Sequence, residues 1–192
     1  MKTNVLVLLV LGAGGLGSCQ ERAPEPSEDT ATLHTRFHGK YELLSAVADV
    51  AVDLNQDGIR SANLVEEIPN LKSSDVILLI REDSGVKLFE QFWPQPNVTR
   101  DWNYSHPDSL TVQGYANQIR GRYFKFDKSV TNLLVEPDPV TIAKDDRFPI
   151  PEEAAIESGD QLRIVVRRAL FTRKGWQLVR ITTVYKRYTT TT

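Results

Sequence analysis

The sequence predicts a mainly β protein: an antiparallel barrel of about eight strands with one short helix after the first strand. Three observations lead there. Two long runs, 162–171 and 176–188, are rich in Val, Ile, Thr and Tyr, and Thr172-Arg173-Lys174-Gly175 joins them with a glycine able to take positive φ. Shorter strand-like runs recur from residue 39 to residue 136, punctuated by turn residues. Only 62–68 carries a helical pattern.

Taken in order, Gly39-Lys40-Tyr41-Glu42-Leu43-Leu44 alternates at Tyr41 and Leu43 and predicts the first strand. In 62–68, Asn63 is a cap, Glu66 sits at the third helical position as in a capping box, and Pro69 stops the helix. Val76 to Ile80 is a continuous apolar run, as in a buried strand. Asp83-Ser84-Gly85 turns the chain into a strand over 86–89. The aromatic and Pro-containing stretch 89–104 reads as a loop covering the barrel end. Strands follow at 110–112 and 123–126, bracketing 114–121, and a short one at 132–136. Residues 137–160 hold four prolines and predict a surface connection, with a helical turn over 152–157.

The 192 residues are 41% apolar and 25% charged, with a formal charge of -2. This is globular composition, and it excludes a bulk basic nucleic-acid binder. One cysteine excludes an internal disulfide, a cysteine-based zinc site and an iron–sulfur cluster. No Gly-x-Ser-x-Gly, glycine-rich phosphate loop or His-Glu-x-x-His occurs, so no enzyme is predicted. His34 and His38 lie four apart outside any predicted helix and read as solvated, as does His106.

The N-terminus is a targeting segment. One lysine precedes an uncharged apolar stretch from Val5 to Leu16, which is too short for a permanent span of the ~30 Å hydrocarbon core. Leu16-Gly17-Ser18-Cys19 then resembles a bacterial lipobox, with Cys19 as the residue that takes the lipid. Residues 1–18 are therefore a lipoprotein signal peptide, and 19–36, acidic and Pro-containing, a flexible tether. The barrel domain is expected over 37–188 and a frayed tail over 189–192. The implied location is the cell envelope, lipid-anchored, with the outer membrane as the expected membrane.

Gly39-Lys40-Tyr41-Glu42-Leu43, followed by Asp53-Leu54-Asn55-Gln56-Asp57-Gly58, resembles the start of the lipocalin-like lipoproteins of Bacteroidota. In that family a Gly-x-Trp strand leads to an Asp-Leu-Asn-x-Asp-Gly loop. Tyr41 stands here where the family has Trp. The resemblance implies a lipocalin-like barrel whose floor is closed by Tyr41 under a basic residue of the last strand, Arg180 or Arg187. It implies a non-enzymatic module for a small hydrophobic or envelope-derived ligand. The alternative is a structural lipoprotein that docks to an envelope protein complex through its sheet edge or its basic C-terminal hairpin. That hairpin is distinctive: residues 161–192 carry eight basic side chains and no acid. The simpler reading is pairing with acidic neighbours on the sheet.

One motif carries chemistry. Asp53-x-Asn55-x-Asp57-Gly58-Ile59-x-Ser61 matches the first nine positions of an EF-hand calcium loop. The expected ligands are the side chains of Asp53, Asn55 and Asp57, the Ile59 carbonyl, Ser61, and a displaced acid, Glu67, because the twelfth position is Leu64. The competing reading is a rigid Asx-turn loop in which the same side chains cap backbone amides without metal.

Overall fold

Strand alternation along the final hairpin sets the frame of the molecule. The computed structural model describes residues 29–100, 110–137 and 148–192. Cys19 and the expected signal peptide, most of the expected tether, Trp102, Tyr104 and His106 lie outside the described residues. The elements are α1 (Thr30–Phe37), β1 (Gly39–Val52), β2 (Ser61–Asn63), α2 (Leu64–Glu67), β3 (Val76–Ile80), β4 (Lys87–Arg100), β5 (Leu110–Phe126), β6 (Leu133–Val135), β7 (Glu153–Glu157), β8 (Gln161–Thr172) and β9 (Gly175–Thr189). No helix among them is long and apolar enough to cross a membrane.

The sheet order is β6-β5-β4-β3-β1-β9-β8-β7, with β2 added alongside β1. Every pairing is antiparallel. β1 and β9 lock together in mid-sheet, Tyr41 opposite Arg187 and Ala46 opposite Thr183. The two ends of the row, β6 and β7, meet through the antiparallel bridge Asn132–Ala155 and through the Ile156 N–H donating to the Thr131 carbonyl at 2.7 Å. The result is a nearly closed, eight-stranded up-and-down barrel, the lipocalin-like architecture expected from the sequence.

Side chains point alternately in and out along each strand. The inner set is buried: Leu162, Ile164, Val166 and Leu170 on β8, Val179, Ile181 and Tyr185 on β9, Val76, Leu78 and Ile80 on β3. On β1 the inner residues shift from Tyr41 and Leu43 to Ala46 and Ala48 across a register irregularity between Leu43 and Ser45. Each buried aliphatic side chain contributes about 1.5–3 kcal/mol.

The floor is sealed by α1, which the sequence reading placed in the tether up to residue 36. Asp29 caps it, accepting from Thr32 N–H at 2.9 Å, and Leu33 and Phe37, one turn apart, enter the core. Phe37 packs on Phe126, ring centroids 5.0 Å apart. The helix has few apolar residues and draws its stability from this docking. The expected helix at 62–68 becomes β2 followed by α2, with Asn63 as the cap (Val65 N–H to Oδ1, 3.2 Å); Glu66 Oε1 accepts from the Asn63 side-chain Nδ2 at 2.9 Å, and the Asn63 backbone N–H donates to Ser61 Oγ, so the reciprocal bond of a capping box is not formed. Leu54, Leu64, Ile68 and Leu71 from this segment are buried and plug the opposite end, the mouth.

Three other expectations are corrected. The strand expected over 86–89 continues to Arg100, where a loop over the barrel end was expected from residue 89, residues 101–104 lying outside the described residues; its prolines pair, Pro94 with Asn117 and Pro96 with Tyr115, beside an irregularity between Pro96 and Val98. Residues 114–121 are the middle of one long strand, β5. Residues 153–157 are β7 and not a helical turn, because β8 offers a ladder from Glu153–Val165 to Glu157–Gln161.

Candidate functional site

The floor of the barrel holds the residues the resemblance singled out. Tyr41 is buried, and its hydroxyl donates to the Phe37 carbonyl at 2.7 Å, closing the last turn of α1. Burial raises the phenol well above its ordinary pKa. Of the two candidate basic partners, Arg187 is the one at the floor. It donates to the carbonyls of Thr35 (3.3 Å) and His38 (3.5 Å), at the C-terminal end of α1, and pairs with Asp160 at 3.1 Å. Arg180 lies elsewhere, bonded to Glu152 at 3.0 Å.

The histidines differ from expectation. His34 is in α1 and His38 is its C-cap; their rings stack at 4.2 Å. His38 is buried, and its Nδ1 accepts from the Ile80 N–H at 3.1 Å, so the ring is neutral. Burial lowers its pKa, and His34 and Arg187 lower it further, with Glu82 acting in the opposite sense. His34 reaches Glu82 at 3.0 Å.

The barrel interior contains a polar layer that sequence reasoning missed. Arg168 on β8 is 1% exposed, and its guanidinium lies over the Trp93 ring at 4.4 Å. It donates to Gln91 Oε1 at 3.4 Å, and Gln91 Nε2 donates to the Tyr185 hydroxyl at 3.4 Å. Burial pushes the arginine pKa down to about 9, against the pull of Tyr185. The Phe148 ring lies 5.9 Å away, and Arg122 donates to the Phe148 carbonyl. The signal available in the sequence was parity: Arg168 falls in step with Leu162, Ile164 and Val166, the inward positions of its strand.

At the mouth, the 53–61 loop connects β1 to β2. Asp53 Oδ2 accepts from Gly58 N–H (3.2 Å), Asn55 Oδ1 from Asp57 N–H (3.0 Å) and Asp57 Oδ1 from Ile59 N–H (2.7 Å). Gln56 and Gly58 take positive φ, 63° and 90°. Ser61 donates to Glu66 at 3.0 Å. Glu67, 2% exposed, turns back across the plug, and its Oε2 accepts from Leu54 N–H at 2.8 Å and Asn55 N–H at 3.5 Å. The candidate ligands are thus brought together as a self-capped loop. Among the described residues no three acidic, histidine or cysteine side chains converge at metal-holding distance. Asp53 Oδ1 alone in this loop is buried without a hydrogen-bond partner.

Beside this loop lies a pocket of about 140 Å³, lined by Asp53, Arg60, Thr172, Arg173, Lys174 and Gln177 among others. Where the plug meets the wall, between Ile68, Trp93 and Leu170, a space of about 10 Å³ remains, the room of one water. Of the C-terminal basic residues, Arg163 pairs with Glu153 and Glu157, Arg167 and Arg180 with Glu152, and Arg187 with Asp160. This is the pairing with acidic neighbours that the sequence suggested.

No family model, curated protein or solved structure matches the chain.

Proposed function

We propose that the protein is a lipid-anchored, non-enzymatic module of the bacterial cell envelope, in which Cys19 carries the lipid and the lipocalin-like barrel receives a small hydrophobic or envelope-derived ligand at its mouth. The observation that carries the reading is the asymmetry of the ends. The floor is shut by apolar α1 side chains, whereas the mouth is closed by a loop-borne plug with a pocket beside it. The outer membrane is the proposed location. Metabolic labelling with radioactive palmitate tests the anchor: the chain takes up label and Cys19→Ser does not. Mass spectrometry of the protein extracted from envelopes tests the ligand: one co-purifying small molecule is expected, and its repeated absence overturns the binding role.

One observation favours the alternative of docking to an envelope complex. Trp176 and Leu178, 49% and 64% exposed, stand on the C-terminal hairpin, beside charges such as Arg163 and Arg180 that are paired internally. Cross-linking in intact envelopes to a single stoichiometric protein, lost in Trp176→Ser/Leu178→Ser, supports docking.

Calcium at Asp53, Asn55, Asp57, the Ile59 carbonyl, Ser61 and Glu67 rests on the unpartnered Asp53 Oδ1 and on Glu67 lying against the start of the loop. It predicts that millimolar calcium raises the Tm and that Asp57→Ala abolishes the rise. A Tm that does not move with calcium leaves the loop as a metal-free set of Asx turns.

A further inference from the structure

We propose that the pocket beside the plug loop is a binding site for a phosphate monoester, with Arg60, Arg173 and Lys174 as its cationic walls. The pocket is assembled from two distant parts of the chain. Asp53 and Arg60 flank the loop that leaves β1, and Thr172, Arg173, Lys174 and Gln177 belong to the β8–β9 turn.

The turn is rigid. The Thr172 hydroxyl donates to the Gly175 carbonyl at 3.0 Å and accepts from the Lys174 N–H at 3.1 Å, and Gly175 takes a φ of 91°. Arg173 is fixed further by donating to the Gln56 carbonyl of the opposite loop, which ties the two walls together. Two of the three cations therefore sit on a hydrogen-bonded turn, and Arg173, already held in place, loses less on binding than a free side chain would.

Charge selects the ligand class. Three cations and one carboxylate line the pocket, leaving two formal positive charges. Among the described residues Arg60 and Lys174 have no ion pair, in contrast to Arg163, Arg167, Arg180 and Arg187 on the same barrel. A phosphate monoester carries about −1.5 to −2 charges at neutral pH and three acceptor oxygens, matching this balance better than a single carboxylate. Gln177, half-buried on the same lining, offers a polar side chain for a hydroxyl next to the phosphate, as on a glycerol or sugar phosphate. Size agrees: about 140 Å³ is well below the roughly 300–1,000 Å³ of a pocket for a whole drug-sized ligand, so the site takes a head group.

The site is the pocket that the proposed function places at the mouth, and the proposal rests on that reading by naming the polar head group the pocket takes; it does not require an apolar ligand in the barrel interior. The two ideas fail separately, one by extraction of envelopes and the other by titration with phosphates.

The test is calorimetric titration of the full chain, in buffer containing EDTA so that no metal bridges the anion. The probes are inorganic phosphate and glycerol 3-phosphate. Saturable binding at one site is expected, tighter for glycerol 3-phosphate. Arg60→Gln/Lys174→Gln is expected to weaken it by about tenfold or more, since two charge-assisted contacts are removed, with the Tm unchanged. A second arm separates a free from a lipid-borne source. Co-sedimentation with phosphatidylcholine vesicles containing phosphatidic acid, above that with phosphatidylglycerol, assigns the phosphate to a lipid head group. Glycerol 3-phosphate binding without that preference assigns it to a soluble ligand. No saturable binding of either phosphate, or equal binding by the double variant, overturns the proposal.

Discussion

At the floor, α1 closes the barrel with two apolar side chains, Leu33 and Phe37, and one hydroxyl, that of Tyr41. At the mouth, the plug also buries apolar residues, Leu54, Leu64, Ile68 and Leu71, but its path is held by side chains capping backbone amides, those of Glu67, Asp53, Asn55 and Asp57. The floor is a seal made by packing, and the mouth a seal made by packing plus a scaffold of hydrogen bonds. Such a scaffold can hold charged residues at its surface, and it is there that the cationic pocket lies.

This contrast can be broken most severely at the floor. Phe37→Ala removes a buried aromatic from the α1 contact and is expected to cost about 3–5 kcal/mol, read as a lower denaturation midpoint in urea. A change under about 1 kcal/mol would mean that α1 is not the seal. At the mouth, Glu67→Ala leaves the Leu54 N–H unsatisfied and is expected to cost about 1–3 kcal/mol. Its signature is local: amide exchange should quicken across the plug while α1 stays protected. Equal acceleration at both ends would erase the distinction. The smallest effect is the pH response of the floor. His38 has a lowered pKa in the folded state, so its contribution is complete above the unfolded value of about 6.5 and is lost as pH falls through the folded value. Stability should therefore decline on acidification, and His38→Gln should flatten that slope; an unchanged slope would assign it to other groups.

Much of the fold was legible because local and tertiary preferences agreed. The β8–β9 hairpin combines β-branched runs with a turn glycine, and 76–80 is apolar throughout. The misses within the sheet share one cause, a local preference overruled by pairing. Glu-Glu-Ala-Ala-Ile-Glu is a good helix sequence but forms β7 against β8. Pro94 and Pro96 argued for a loop, yet β5 pairs along that stretch. Strand β5 looked like two strands because its middle is polar and holds Gly114 and Gly121. In α1 the signal was thin: an Asp29 cap and a Leu33–Phe37 spacing among threonines and histidines. At the site, the Asp53–Ser61 loop was legible as a motif of regularly spaced oxygens, and its capping pattern follows from that spacing. The pocket was not, because Arg60 and Arg173 come together only when β1 pairs with β9, across more than half the chain.

That pairing also has a consequence in time. Tyr41 lies opposite Arg187, so one edge of β1 waits for its partner until almost all the described sequence has been synthesised. Until then β1 presents a strand edge with Leu44 and Val47 on it, both still 48% exposed after folding. Such contacts of high sequence separation form slowly, and an open edge in the interval is a template for pairing with another chain. The moment of greatest exposure to aggregation therefore falls late in synthesis, just before the final hairpin arrives, and a cell making this barrel would have to keep β1 from pairing with a second copy until then.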